Sequence, residues 1–157
     1  SLGHGLSMAA GMALGARQRK MPWKTVCLMG DGECCEGSVW EAAMAAAHFK
    51  LGNLIGIVDR NRFMIDGETE EVMALEPFAD KWRAFGWDVV EVDGHDFDQL
   101  DQALAKAWTA TDQPVLILAH TIKGKGVDFM ENNVVYHYAS ADSELCARAK
   151  ASIMKEG

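Results

Sequence analysis

Small apolar residues recur at helical spacing through residues 4–19, where Leu6, Met8, Ala9, Ala10, Met12, Ala13 and Leu14 share the segment with Gly5, Gly11 and Gly15. The pattern predicts a helix able to pack closely against a sheet. Arg17, Arg19 and Lys20 close it, where positive charge suits the negative end of the helix dipole. Pro22 interrupts, and the run over 24–29 predicts a buried strand. An alanine-dense helix is expected over 38–50, ending before Gly52, then a second strand over 54–59 and a loop through Asp66 and Gly67. Beyond it the pattern predicts a short helix over 77–85, with Pro77 suited to a first turn, and a third strand over 88–93. Asp96 is placed to cap a helix over 97–109; a fourth strand follows over 115–119, a polar, glycine-containing loop over 123–138 and a last helix over 142–155. Strands separated by helical crossovers imply an α/β fold, a parallel sheet with helices on both faces. Ligands of such sheets sit at the carboxyl ends of the strands.

The ends of the first two strands carry the strongest chemical signal. Gly30-Asp31-Gly32 follows the first strand directly, and its glycines let the backbone turn sharply and approach a ligand closely. Asn61 follows the second strand. If the two strands are neighbours, a carboxylate and an amide oxygen converge on one point. Mg²⁺ suits such a place, because it takes few protein oxygens and completes its octahedron with phosphates and water. The same tripeptide is also a common turn, and Asn61 an ordinary turn residue. The glycines at 3, 5, 11 and 15 do not make a dinucleotide fingerprint, since no strand precedes them.

These residues resemble the thiamine-diphosphate motif shared by transketolases, decarboxylases and 2-oxoacid dehydrogenases. The wider wording resembles transketolases: Gly30-Asp31-Gly32-Glu33-Cys34-Cys35-Glu36-Gly37 with Trp40-Glu41-Ala42, Lys50-Leu51-Gly52-Asn53-Leu54-Ile55, Ile65-Asp66-Gly67 and Asp93-Gly94-His95-Asp96. Ser1-Leu2-Gly3-His4-Gly5 and Lys123-Gly124-Lys125-Gly126 extend the likeness over nearly the whole chain. It implies that Asp31, the Asn61 side chain and the Phe63 carbonyl hold Mg²⁺. It implies further that backbone at Gly30, Gly32 and Glu33 meets the diphosphate, with Leu2, Gly3 and Ile122 near the thiazolium. Glu36 and Glu41 match acidic residues through which paired active sites communicate at a subunit interface; alternatively they favour the start of a helix dipole. His137 matches a histidine that contacts the diphosphate and assists proton transfer. The family's Trp-His-Gly is Tyr136-His137-Tyr138 here, however, and a plain surface histidine is the alternative.

Composition narrows the partners. The chain has 157 residues, with 49% hydrophobic and 24% charged, enough apolar content for the core of one domain. A formal charge of −8 argues against a nucleic-acid backbone as partner. Cys27, Cys34, Cys35 and Cys146 show no CxxC spacing, which disfavours zinc and points to a reducing, cytoplasmic compartment. No apolar stretch approaches a membrane span. The chain opens at Ser1 without Met and reads as a section of something longer. The expectation is therefore a single diphosphate-binding domain over 1–157, N-terminally truncated relative to the family and inactive alone. A separate pyrimidine-binding section, a homodimeric assembly and sugar phosphate substrates belong to the complete enzyme. A non-catalytic remnant serving binding or oligomerisation, and another thiamine-diphosphate enzyme such as a deoxyxylulose phosphate synthase, are the alternatives.

Overall fold

The small residues of the first segment form α1 (Gly5–Gln18), which buries a stripe of Leu6, Ala9, Ala13 and Ala16. The computed structural model, which describes residues 2–156, continues into β1 (Thr25–Gly30) and a tight 3₁₀ turn over Gly32–Cys35. α2 (Gly37–His48) buries Val39, Ala42, Ala43 and Ala46, and β2 (Leu54–Arg60) follows. The expected loop of the sixties holds more structure than its polar sequence suggests. It forms a hairpin of β3 (Phe63–Met64) and β4 (Gly67–Glu68), then a single turn, α3 (Thr69–Val72). α4 (Phe78–Ala84), β5 (Asp88–Asp93), α5 (Phe97–Trp108), β6 (Val115–His120) and α6 (Ser143–Glu156) complete the order. Asp96 caps α5 as expected, its Oδ1 accepting the N–H groups of Asp98 and Gln99 at 2.9 and 3.1 Å. His4 stands at the start of α1 without a side-chain capping bond.

The four long strands form one parallel sheet in the order β1-β2-β6-β5. The right-handedness of parallel crossovers fixes the layers. The β1-to-β2 and β2-to-β5 connections run one way across the sheet and put α2 and α4 on one face. The β5-to-β6 connection runs back and puts α5 on the other. The larger core lies under α1, α2 and α4, around Leu6, Met29, Val58, Phe78, Trp82, Trp87 and Leu118. The smaller one lies under α5, around Ile55, Val92, Ala103, Val115 and Ile117. Central β6 is buried from Val115 to Ala119, which explains its unbroken apolar run.

Helices do lie on both faces, but the second face is only partly covered. α5 packs over β5 and β6, and Val26 and Leu28 of edge strand β1 remain 46% and 70% exposed. On the first face, aromatic side chains tie the elements near the strand ends. Trp40 of α2 stacks on Phe85 and packs against Trp82, while its Nε1 donates to the Cys34 carbonyl at 2.8 Å. That bond holds the turn after β1 against α2.

Close backbone approach gives a test of the fold. A Cβ on Gly52 would lie 2.2 Å from the Thr111 carbonyl group, whereas one on Gly15 of α1 would meet nothing within 4 Å. Gly52→Ala is expected to destabilise by about 3 kcal/mol through overpacking. Gly15→Ala should stabilise by about 0.5–1 kcal/mol through helix propensity. Denaturant unfolding midpoints of the two variants check both signs.

Candidate functional site

Asp31 extends the β1–β2 ladder by one step, its N–H donating to the Asp59 carbonyl at 3.2 Å. Its carboxylate is almost wholly buried, at 1% exposure. Oδ2 accepts the Arg62 N–H at 2.6 Å and Nη1 of Arg60 at 3.0 Å, and Oδ1 accepts the Gly32 N–H at 2.7 Å. Burial pushes the Asp31 carboxyl upward, against the pull of the Arg62 N–H, Arg60 and the Gly32 N–H.

Arg60, equally buried, is the centre of this arrangement. Nη1 also donates to Thr69 Oγ1 at 2.7 Å, and Nη2 donates to Glu70 at 2.9 Å and Glu76 at 2.8 Å. Burial by itself lowers the guanidinium's pKa, but hydrogen bonds to Glu76, Asp31 and Glu70 outweigh it and raise the value. The pattern reading of the sequence did not single out Arg60. A signal was present: Leu54, Gly56, Val58 and Arg60 are alternate, buried positions of β2, so a charge at the end of that series must find partners inside.

Asn61 turns the chain away from β2. Its Oδ1 accepts the Phe63 N–H at 2.9 Å and its Nδ2 donates to Asp59 Oδ2 at 3.2 Å. Arg62 takes a left-handed conformation, φ 68°, and that turn aims its N–H at Asp31. The β3–β4 hairpin then lies directly on the turn after β1. A Cβ on Gly32 would sit 2.8 Å from Met64 Cβ, so the glycine is required by approach. Glu33 ties in the chain's start: Oε1 accepts the Gly3 N–H at 2.9 Å and Oε2 the Gly30 N–H at 3.3 Å.

These elements enclose a cleft of about 350 Å³ at the carboxyl ends of β1 and β2. Of the residues expected from sequence, Leu2, Gly30, Asp31, Gly32, Glu33, Glu36, Asn61, Phe63 and His137 all line it. Cys35, Met64, Ile65, Asp66 and Lys123 join them, and Lys123 Nζ lies 3.4 Å from His137 Nδ1. Gly3 backs the cleft against Glu36 rather than lining it. Ile122 lies in the adjoining groove, its N–H donating to His95 Nε2 at 2.8 Å. Glu41 lines a separate groove between α1 and α2. A larger hollow of about 620 Å³ beside α1 and β1 is lined by Met12, Trp23 and Val26 and holds no carboxylate or histidine.

Among the described residues, no group of three or more His, Cys, Asp or Glu side chains is placed to hold a metal ion. A cation in this cleft would depend on one carboxylate together with amide and carbonyl oxygens and oxygens of a ligand, the donor set that suits Mg²⁺. Asp31 Oδ1 and Asn61 Oδ1 fit that role, since each accepts a single N–H and retains acceptor capacity. No helix among the described residues is long and apolar enough to cross a membrane.

Comparison with known proteins matches residues 1–154 to the family described as transketolase, thiamine diphosphate binding domain. The chain is 47% identical over 144 residues to one subunit of the apulose-4-phosphate transketolase of Phocaeicola vulgatus, covering 92% of this chain and 51% of that protein. It is 45% identical over 157 residues to the SqwG subunit of the 6-deoxy-6-sulfo-D-fructose transketolase of a Clostridium species, covering 100% and 57%. Its fold matches the crystal structure of transketolase from Campylobacter jejuni with a TM-score of 0.90 at 31% identity, over 98% of this chain and 25% of that one. The chain thus spans about half the length of these two curated relatives and a quarter of that transketolase chain.

The contact between turn and hairpin is open to test. Gly32→Ala should push Met64 and the β3–β4 hairpin off the turn, at a cost of about 1–3 kcal/mol. Limited proteolysis within residues 63–68, faster in the variant than in the parent chain, is the expected readout.

Proposed function

The chain belongs to the transketolase family, through its thiamine diphosphate binding domain, and we propose that it anchors Mg²⁺ and thiamine diphosphate for two-carbon ketol transfer between sugar phosphates. The observation that carries the proposal is the convergence of Asp31, Asn61 and Phe63 with Gly30 and Gly32 on one cleft at two adjacent strand ends. In this reading Asp31, the Asn61 amide oxygen and the Phe63 carbonyl hold the metal. Backbone at Gly30, Gly32 and Glu33 meets the diphosphate. When bound, the cofactor supplies the nucleophilic carbon that carries the two-carbon unit.

The chain's own residues bind and orient. Leu2 offers an apolar wall at the cleft, while Gly3, fixed by Glu33, sets the path of the loop that carries it. Ile122, in the adjoining groove, would border the ring from that side. Lys123 and His137 present donors to an anionic ligand, and His137 can hold or release a proton there. Glu36 in the cleft and Glu41 in the α1–α2 groove would connect the site to a subunit interface in a homodimer. Because the chain spans about half of its curated relatives, complete activity is assigned to this section together with a pyrimidine-binding section.

Calorimetric titration of the chain with thiamine diphosphate, in Mg²⁺ and then in EDTA, tests the reading. Binding is expected in Mg²⁺ and not in EDTA. Asp31→Asn and Asn61→Ala should each weaken Mg²⁺-dependent binding at least about tenfold, which corresponds to roughly 1.4 kcal/mol. A folded Asp31→Asn chain with unchanged Mg²⁺ dependence would refute the metal assignment. Sugar phosphate transfer should appear only after a pyrimidine-binding section is added.

A further inference from the structure

The Arg60 network is larger than a metal-ligating aspartate needs. Three carboxylates, Asp31, Glu70 and Glu76, surround one guanidinium, and of these only Asp31 lines the cleft. Both terminal nitrogens of Arg60 are fully used, each donating to two acceptors. The partners divide by location. Asp31 belongs to the cleft, while Thr69, Glu70 and Glu76 belong to the segment that follows the β3–β4 hairpin. Glu70 is itself held by the N–H groups of Leu75 and Glu76 at 3.1 and 3.3 Å, and Glu76 Oε2 accepts the Phe78 N–H at 2.8 Å. Thr69 is completely buried, and its N–H closes the hairpin's base on the Arg62 carbonyl at 2.9 Å.

We propose that Arg60 is a positioning residue for the metal site, one that fixes Asp31 through Oδ2 and locks the hairpin bearing Phe63 against the cleft. The proposal rests on the reading of Asp31, Asn61 and Phe63 as metal ligands. Its physical content is a division of labour within one carboxylate. Oδ2 is committed to Arg60 and the Arg62 N–H, and Oδ1 keeps the spare acceptor capacity. The same guanidinium reaches across to Thr69, Glu70 and Glu76, so the segment on either side of Phe63 is pinned at both ends. Arg60 touches neither metal nor cofactor in this scheme. It sets the position of two groups that do. Lysine cannot replace it, because one ammonium presents three donors from a single atom where the site uses four from a planar fork.

The test is the apparent affinity for Mg²⁺ at saturating thiamine diphosphate, measured by calorimetry on the complete enzyme reconstituted with its pyrimidine-binding section. Arg60→Met keeps the side chain's length and apolar packing, and Arg60→Lys keeps its charge. Both should lose roughly tenfold or more in Mg²⁺ affinity. Glu76→Gln alters the network at its half-exposed end, outside the lining of the cleft, with little risk to folding. It should lose Mg²⁺ affinity several-fold, with an unchanged circular dichroism spectrum and faster proteolysis of residues 63–68. Arg60→Met combined with Asp31→Asn should lose less than the sum of the two single losses, because Arg60 acts through Asp31. Parental Mg²⁺ affinity in Arg60→Met or, if that variant does not fold, in Glu76→Gln would overturn the positioning role. So would rescue by Arg60→Lys. Parent enzyme that binds thiamine diphosphate equally well in EDTA would instead overturn the metal-site reading, and this inference with it.

Discussion

The buried ion pair between Asp31 and Arg60 is the constraint around which the strand ends are built. Both groups are 1% exposed, and withdrawing either charge from water costs several kcal/mol unless its hydrogen-bonding capacity is filled. The chain meets most of that demand locally, leaving Arg60 Nε without a hydrogen-bond partner. Asp31 receives two backbone N–H groups besides the guanidinium, and Arg60 reaches a hydroxyl and two further carboxylates. Each partner fixes a piece of backbone: the turn after β1 through Gly32, the turn after β2 through Arg62, and the segment beyond the hairpin through Thr69, Glu70 and Glu76. Removing one member leaves the other charged and underserved. The arrangement is therefore specific before it is stabilising.

The sheet supplies what the pair needs. Parallel pairing of Gly30 with Asp59 puts the residues that follow each strand side by side, and the crossover through α2 makes β1 and β2 direct neighbours. Trp40 then restrains the turn from behind through the Cys34 carbonyl, and Gly32 admits Met64 from in front. The cleft is thus the consequence of strand adjacency, one tryptophan bond and one missing Cβ, with Asp31, held by Arg60, in its lining.

Much of this was legible in the sequence. Apolar runs located the four long strands, and alanine stripes located α1 and α2. Asp96 announced its cap. The Gly-Asp-Gly turn and Asn61 converged because the period of strand, helix, strand demanded it. What escaped reading depends on partners distant in sequence. Residues 63–72 are too polar and too short-ranged in pattern to announce a hairpin and a helical turn; they are ordered by Arg60, Asp31 and the approach to Gly32. Arg60 itself was readable only by extending the burial alternation of β2 past its last apolar residue. The exposure of Val26 and Leu28 was not readable either, since it follows from which strands α5 covers and not from β1's own sequence.

The two ends of the cleft differ in how they are held. At the Asp31 end Asp31 and Arg60 each have several partners, and the ligands proposed for the cation are fixed by bonds within residues 30–76. At the other end Leu2 is 59% exposed, and His137 is also exposed, with Lys123 as its only side-chain hydrogen-bond contact among the described residues. Under the proposed function this asymmetry has a direct meaning. Anchoring a diphosphate and its metal needs fixed oxygens for the cation and N–H donors for the phosphates, and in this reading the chain's own fold would supply both. Directing a reaction at the far end of the cofactor needs water excluded and proton donors oriented, and there the cleft is open. On the proposed function, anchoring would be intrinsic to this chain, and catalysis would require another protein surface to close the Leu2–His137 side.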